Sequence, residues 1–538
     1  MRVLSTSQMV ALEKEANQKG LSYEEMMARA GRGLAEIVYQ DFFSKKRQKV
    51  LGLVGGGNNG GDTLVALAYL AKKGWKAQAY IVKERNPNDP LISALLREGG
   101  EIINAVDDAS YSILKKWVKN ADIILDGILG TGAKLPLRAE ISQILRNVKS
   151  VQLAAKVVAV DCPSGVDCDS GEAPEECMKA DLTVCMAAIK VGLLKMPAFE
   201  FVGKIKVVDI GLPKSLPTWK QINGDVLCEE CLQKLMPKRG MDSHKGSFGT
   251  TIIVGGSINY CGAVLLASKG AYRVGAGLVR AAIPNAIYDA LCGQLPEATW
   301  IVLPHVDGAI CREAAPLLID NLKRSSALLI GPGLGLHKET QLFFECLIEE
   351  LWKGWKIKRG MEFRGTLQEE VENLDFPPLV IDADGLKLLA GIDMWYEKLP
   401  KNSVLTPHPG EMSVISGIPI DEIQKDRIGA AKDYASQWGH IVVLKGALTV
   451  IAAPHGDFAV VPIATSALAT AGTGDVLAGM IAGFLSQGLD AYSAAKVGAF
   501  IHAKAGLIAA EKLGGEAPVM AGDVADAIPE ALKSITDI

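Results

Sequence analysis

Short, unbroken apolar runs recur along the chain, separated by segments of helical length. In the first half they read KVLGLVG, KAQAYIV, ADIILDGI, KVVAVDCP, LTVCMAAI and KIKVVDI. Runs without polar alternation predict strands buried on both faces, the mark of a parallel sheet covered by helices on each side. Before the first run, residues 1 to about 48 carry apolar positions at helical spacing in LEKEANQ and EEMMARAGRGLAEIVYQDFF, and are expected to be helical. A proline-containing stretch without periodicity, GLPKSLPTWKQINGDVLCEECLQKLMPKRGMDSHKG, reads as a connector. The alternation then restarts at GTTIIVGGS and continues through GLVRAAIP, ATWIVLP, ALLIGPG, LVIDADG, SVLTPHPG and HIVVLKG. The pattern predicts an α/β protein of two doubly wound three-layer domains, residues 1–218 and 225–538. A charge-dense segment, KGWKIKRGMEFRGTLQEEVENLD, interrupts the second domain and reads as a surface insertion near 352–375.

A chain of 538 residues exceeds a single ordinary core, and 49% apolar content is ample for two. The formal charge of -4 offers no basic face for nucleic acid, so small-molecule partners are expected. Glu13, Lys14 and Glu15 interrupt the N-terminus before a signal-peptide core could form. No apolar run approaches the roughly 20 residues needed to span a bilayer. A cytoplasmic homo-oligomer without membrane contact is expected. The ten cysteines are scattered and read as reduced thiols, while Cys228 and Cys231, a single CxxC with no second pair, make a weak zinc or redox motif.

Chemistry-bearing residues gather where the predicted strands end, the place where open α/β sheets bind ligands. After the first strand comes Gly55-Gly56-Gly57-Asn58-Asn59-Gly60-Gly61-Asp62, which lacks the GxGxxG spacing of a dinucleotide turn. Later strand ends carry Asp126-Gly127-Ile128-Leu129-Gly130-Thr131-Gly132-Ala133-Lys134 and Asp161-Cys162-Pro163-Ser164-Gly165-Val166-Asp167. Amide, carboxylate and carbonyl oxygens delivered to one edge suit a hard cation.

In this order and spacing, NNGGD, DGILGTG and DCPSGVD closely resemble the signatures of the NAD(P)H-hydrate epimerase domain, over roughly residues 1–215. The resemblance implies a potassium-binding unit that interconverts the R and S forms of hydrated NAD(P)H. It implies that Asn59 and Asp126 hold K+ with help around Ser164. Asn58, Asn59, Gly60, Gly61 and Asp62, with Gly130, Thr131, Gly132, Ala133, Lys134, Leu135 and Pro136, would line the hydrate. Asp161 would be the acid/base residue, and Lys134 its partner or an electrostatic anchor. Thr63 departs from the pattern, which has glycine there.

The second half gathers His244-Lys245-Gly246-Ser247-Phe248-Gly249, Gly255-Gly256-Ser257, Gly262-Ala263, Gly331-Pro332-Gly333-Leu334-Gly335, Asp382-Ala383-Asp384-Gly385, Thr406-Pro407-His408-Pro409-Gly410-Glu411 and Lys445-Gly446-Ala447-Leu448-Thr449. Its last motif is Ala471-Gly472-Thr473-Gly474-Asp475, where two glycines precede VLAGMIAGFLSQG, a run expected to form a buried helix beginning near Asp475. Unpartnered N–H groups at such a start can hold an anionic oxygen, and the carboxylate beside them can take a proton from an alcohol. His408, between two prolines, suits a rigid pocket-lining loop as well as a satisfied structural position.

Together these motifs resemble the NAD(P)H-hydrate dehydratase domain of the ribokinase-like fold, from about residue 225 to the C-terminus. The resemblance implies that ADP or ATP with Mg2+ phosphorylates the hydrate hydroxyl, and that loss of this phosphate regenerates NADH or NADPH. Asp475 would be the base, Ala263, Gly333 and His408 would contact the hydrate, and Lys445, Gly446, Ala447, Leu448, Thr449 and Gly474 the nucleotide. Ala471 departs from the pattern, which often has glycine there. Two rival readings are a kinase for a vitamin-type alcohol and a non-catalytic first half kept as a scaffold. The retained NNGGD, Asp126 and Asp161 argue against the scaffold.

Overall fold

Each apolar run named in the first half forms a strand of one parallel sheet. The computed structural model describes residues 1–44, 48–86, 88–151, 154–358 and 376–536. The chain divides into two compact units, Met1–Asp225 and Val226–Ile538.

In the first unit the strands are β1 (Arg2–Leu4), β2 (Lys49–Val54), β3 (Lys76–Ile81), β4 (Glu101–Asn104), β5 (Ile123–Gly127), β6 (Lys156–Val160), β7 (Leu182–Met186), β8 (Ile189–Lys190) and β9 (Lys204–Val208). The main sheet runs β4-β3-β2-β5-β6-β7-β9, all parallel. Period-2 geometry sends Val50 and Val54 of β2 into one apolar cluster and Leu51 and Leu53 into another. The first cluster includes residues of α1 (Thr6–Gln18), α2 (Tyr23–Phe42) and α3 (Asn58–Lys72); the second is closed by Leu114 and Val118 with Ile144, Leu145 and Val148. Three layers result. Two main departures from expectation are β1, in a stretch read as helical throughout, and β4, whose EIIN run is too short and half-exposed to stand out.

Strand order reverses between β2 and β5, so the loops after these two strands diverge and leave a crevice at their carboxyl ends. α3 starts at Asn58, which makes NNGGD the first helical turn and not an open loop. A Cβ on Gly60 would lie 2.0 Å from the Gly55 carbonyl oxygen, so only glycine lets the helix start this close to the strand end. Thr63, the departure noted above, donates its hydroxyl to the Asn59 carbonyl at 2.8 Å.

The second unit repeats the plan. Its strands are β10 (Thr250–Val254), β11 (Leu278–Pro284), β12 (Thr299–Leu303), β13 (Ala327–Ile330), β14 (Leu379–Ile381), β15 (Val404–Leu405), β16 (Ile441–Leu444), β17 (Val450–Ala452) and β18 (Phe458–Val460). They run β12-β11-β10-β13-β14-β15-β16 in parallel, followed by β17 and β18 antiparallel. The antiparallel pair was not foreseen. The reversal falls between β10 and β13. Helices α4 (Gly262–Arg273), α5 (Asp384–Leu389), α6 (Pro409–Ser416), α7 (Thr473–Ser486) and α8 (Ala491–Leu513) carry the residues discussed below. α7 is buried along almost its whole length and crosses α4 backbone to backbone. A Cβ on Gly479 would lie 1.9 Å from the Ala267 carbonyl oxygen, and one on Gly270 2.4 Å from that of Val476.

The charged segment begins within a helix, Lys338–Lys358, and its residues 359–375 lie outside the described residues. Among the described residues no helix is long and apolar enough to cross a membrane.

Candidate active sites

In the first unit the crevice brings Asn59, Asp126 and Ser164 together. Asn59, in the first turn of α3, donates its side-chain N–H groups to the carbonyls of Leu129 (2.8 Å) and Val160 (2.7 Å), tying the helix start across two strand ends. Asp126 Oδ2 accepts the Ser164 N–H at 2.9 Å, and Ser164 Oγ accepts the Leu129 N–H at 2.9 Å. Asp126 is fully buried and its Oδ1 has no partner among the described residues. Burial pushes its carboxyl up to about 6, against the hydrogen bonds from Ser164 and Ile128. Among the described residues no group of three or more His, Cys, Asp or Glu could hold a metal. One orphaned carboxylate oxygen, a hydroxyl and an amide are a set for a weakly held hard cation.

Asp161 follows β6 with φ at 67°, a strained left-handed conformation for a residue with a side chain. Its Oδ1 accepts the Met186 N–H at 2.8 Å and the Lys190 ammonium. Lys190 lies on β8, which pairs with β1, is wholly buried, and also donates to the Met186 carbonyl at 3.1 Å. Burial alone would lower the Lys190 pKa; Asp161 and the neighbouring thiols overcome this and raise it. Lys134, expected as the partner of Asp161 or as an electrostatic anchor, is exposed in the loop that follows β5, and the ammonium that Asp161 meets is that of Lys190. The signal was available, since Lys190 interrupts the apolar stretch LTVCMAAIKVGLL where an unpaired lysine would be costly. Asp62 is 7% exposed, and no hydrogen bond or ion pair reaches its carboxyl among the described residues. Burial, then Asp161 and Glu13, hold that carboxyl well above the usual range, with Lys190 opposing. Glu13 of α1 is raised too, chiefly by burial.

The segment Gly130, Thr131, Gly132, Ala133, Lys134, Leu135 and Pro136 is half-buried or exposed and closes on itself through Ala133 N–H to the Gly130 carbonyl at 3.0 Å. Leu135 and Pro136 form one wall of an open cavity of about 610 Å³, with Arg146 and Glu176 among the others.

In the second unit the central group is Asp475, in the first turn of α7 behind Gly472, whose φ of 93° requires glycine. Burial, then Asp382, Asp384 and Glu411, push its carboxyl up to about 7, and Lys445 opposes them. Asp382 follows β14 and is 1% exposed; its Oδ1 accepts Lys445 Nζ and Thr406 Oγ1, both at 2.6 Å. Its Oδ2 is buried without a partner among the described residues. Lys445 Nζ also lies 3.6 Å from Glu411 Oε2. That oxygen accepts the His408 N–H at 2.9 Å, while His408 Nδ1 accepts the N–H groups of Gly410 (3.0 Å) and Glu411 (3.2 Å). His408 therefore caps α6, and its ring stays half-exposed with Nε2 3.3 Å from Glu411 Oε1. Burial keeps the ring below its ordinary pKa.

Ala263, in the helix after β10, and Gly333, in the loop after β13, meet at the strand-order reversal. Gly333 has φ at 63°, and a Cβ there would lie 2.9 Å from that of Ala263 and 2.6 Å from the Tyr260 carbonyl oxygen. Ser257 Oγ donates to the Gly333 carbonyl at 2.9 Å, and the Gly335 N–H to Asp384 Oδ2 at 3.0 Å.

Lys445, Gly446, Ala447, Leu448 and Thr449 follow β16. Arg427, which sequence reasoning missed, donates to the carbonyls of Leu444 (2.9 Å) and Lys445 (3.0 Å), and Thr449 Oγ to that of Gly446 (3.0 Å). These bonds fix the loop while Gly446 and Ala447 stay exposed. A Cβ on Gly474 would lie 3.3 Å from Lys445 Nζ, so the glycine leaves the lysine room between the loop and α7. His502 of α8 is also new: it is 6% exposed, its Nε2 has no partner among the described residues, and burial lowers it to about 4.

A family model described as NAD(P)H-hydrate dehydratase matches residues 251–530, and one described as YjeF-related protein N-terminus matches residues 23–192. The chain is 32% identical over 518 residues to the bifunctional NAD(P)H-hydrate repair enzyme of Moorella thermoacetica, covering 95% of this chain and 93% of that one. It is 34% identical over 550 residues to the enzyme of the same name from Salinibacter ruber, with coverage of 98% and 95%. A crystal structure of an ADP/ATP-dependent NAD(P)H-hydrate dehydratase from Bacillus subtilis, co-crystallised with ATP and Mg2+, is 29% identical, covers 58% of this chain and 98% of that chain, and has a TM-score of 0.45.

Proposed function

The chain belongs to the family of bifunctional NAD(P)H-hydrate repair enzymes, and we propose that its two units divide the repair between them. Met1–Asp225 interconverts the R and S hydrates, and Val226–Ile538 dehydrates the S form at the expense of ADP or ATP. The observation that carries the reading is the placement of Asp475 in the first turn of α7, next to Gly474, whose missing side chain leaves room for the Lys445 ammonium.

In the second unit the hydrate lies between Ala263, Gly333, His408 and Asp475, and the nucleotide between Lys445–Thr449 and Gly474. Asp475 takes the proton of the hydrate hydroxyl as that oxygen attacks the terminal phosphorus, and a carboxyl near 7 is matched to this work at neutral pH. The N–H groups of residues 472–475 and the Lys445 ammonium face the charge that develops on the phosphoryl oxygens. The P–O bond to the rest of the nucleotide breaks as the new one forms. The C–O bond of the phosphorylated hydrate then breaks with its electron pair going to the departing phosphate, and the ring nitrogen's pair forms C=N. A proton lost from the adjacent ring carbon to that phosphate restores the dihydropyridine. Mg2+ fits beside Asp382, whose Oδ2 is orphaned, and Glu411, and would neutralise phosphate charge there. In the first unit K+ fits at Asn59, Asp126 and Ser164, where the orphaned Asp126 Oδ1 supports the reading, and would fix the crevice electrostatically. Asp161, held by Lys190, is the acid/base group of the epimerisation. The ten free thiols support a reducing, cytoplasmic setting.

The test supplies mixed R and S hydrated NADH with ADP or ATP, Mg2+ and K+, and follows the return of reduced nicotinamide absorbance. Asp475→Ala abolishes repair and keeps epimerisation, whereas Asp161→Ala stalls after the S fraction. Repair of all the hydrate by both variants overturns the assignments. Accumulation of a stable phosphate ester would favour the vitamin-type kinase.

A further inference from the structure

Two carboxyl groups lie at the same strand end in the first unit, in opposite surroundings: Asn59, three residues before Asp62 in the first turn of α3, donates at 2.7 Å to the carbonyl of Val160, the residue before Asp161. Asp161 is paired with a buried ammonium and a backbone N–H. Asp62, 7% exposed in the first turn of α3, has neither a hydrogen bond nor an ion pair among the described residues. The charged and titratable groups facing it are Asp161, Glu13 and Lys190, and the one cation is already committed to Asp161 and the Met186 carbonyl. A buried carboxyl beside two acidic groups, with no counter-charge of its own, is stable when it carries a proton. A carboxyl that keeps its proton can serve as the acid, and one paired with an ammonium beside it as the base.

We propose that Asp62 is the general acid of this unit, the catalytic residue that protonates the departing hydroxyl of the hydrate, with Asp161 as the base. This rests on the epimerase reading above. The hydrate's hydroxyl sits on a ring carbon bonded to the ring nitrogen. Asp62 gives its proton to that oxygen, the C–O bond breaks and water leaves. The nitrogen's electron pair forms a C=N bond, leaving the ring cationic and Asp62 a carboxylate. Water then adds to the opposite face of the same carbon, the C=N pair returns to nitrogen, and the added water's surplus proton goes to Asp161. Transfer of that proton to the neighbouring Asp62 restores the starting state. No oxidant, reductant or C–H cleavage is needed.

The experiment uses the full chain without nucleotide, so that dehydration is silent, and starts from hydrate depleted of its S form. The return of S from R is followed by chromatography in water enriched in oxygen-18. Wild type is expected to convert R to S with one labelled oxygen taken up per conversion, at a rate that falls as pH rises and Asp62 loses its proton. Asp62→Asn is expected to lower kcat at least about 100-fold with KM changed less than about 3-fold, and its residual rate to lack the fall at high pH. Asp62→Glu restores part of the rate. Nucleotide-dependent dehydration of the S form by the same variants stays at wild-type level, which shows that the second unit is intact, and an unchanged hydrogen-exchange protection of the first-unit strands shows that the first has folded. An Asp62→Asn rate within about 3-fold of wild type, or conversion without oxygen-18 uptake, overturns the acid. Wild type that leaves R unchanged overturns the epimerase reading, and the acid falls with it.

Discussion

Replacing Asp475 by asparagine should abolish dehydration and stabilise the second unit in a pH-dependent way. Its carboxyl is raised from 3.8 to about 7, first by burial and then by Asp382, Asp384 and Glu411. The folded chain thus holds the proton more tightly than the unfolded chain, so the stability linked to this group is complete below pH 3.8. That stability is lost as pH rises to about 7 and stays lost above it. Three units at 1.36 kcal/mol each give about 4 kcal/mol, and water at the half-open site reduces this to roughly 2–4 kcal/mol. Asparagine has the same shape and no charge to desolvate. At pH 4 the variant should match wild type; at pH 8 its second unit should melt roughly 3–8 °C higher. Thermal denaturation of both proteins at several pH values, read on the second unit by hydrogen exchange, measures the gap. In parallel, the wild-type dehydration rate should rise with pH and reach half its plateau near 7. A gap that shrinks with pH, or a flat rate profile between about pH 5.5 and 8.5, would refute the placement of this carboxyl.

Lys445→Met removes the cation that lowers the Asp475 pKa, so the rising limb of the rate profile should move to higher pH while the plateau falls at least about 100-fold; steady-state rates against pH read both. Lys190→Met leaves the Asp161 carboxylate buried beside Glu13 and Asp62 without counter-charge, which should cost the first unit about 3–5 kcal/mol and abolish epimerisation; urea denaturation and the R-to-S assay test it. Lys134→Ala, by contrast, should keep the epimerisation rate within about 3-fold, because Lys134 is exposed and Asp161 is served by Lys190. Gly333→Ala should lower the dehydration rate at least about 10-fold and cost about 1–3 kcal/mol, since the methyl would meet the Tyr260 carbonyl at a positive φ; initial rates and a melt decide it.

The sheets were legible because parallel strands are written as continuous apolar runs, and Val50 to Val54 or Ile252 to Val254 can be little else. β17 and β18 were missed because VIA and FAV are three residues each, too short for a period to emerge. The strand ends and helix starts that carry Asn59, Asp126, Asp382 and Asp475 stood out because glycine and carboxylate cluster there. Which groups share a proton or a charge was not legible. Lys134 lies near the glycine loops in sequence, yet Asp161 reaches instead a lysine 29 residues further on, because β8 folds back beside β1. Arg427, His502 and Glu13 were hidden for the same reason, since each comes from an element whose own sequence carries no motif.

The crossing of α4 and α7 gives a familiar engineering rule the wrong sign. Glycine inside a helix usually invites replacement by alanine, for a gain of about 1 kcal/mol. At Gly479 the added methyl would act as a wedge against the Ala267 carbonyl and lift the helix that carries Asp475 one turn earlier. Along this helix thermostability and catalytic alignment pull in opposite directions, so a consensus-driven search for hardier variants should leave its glycines alone.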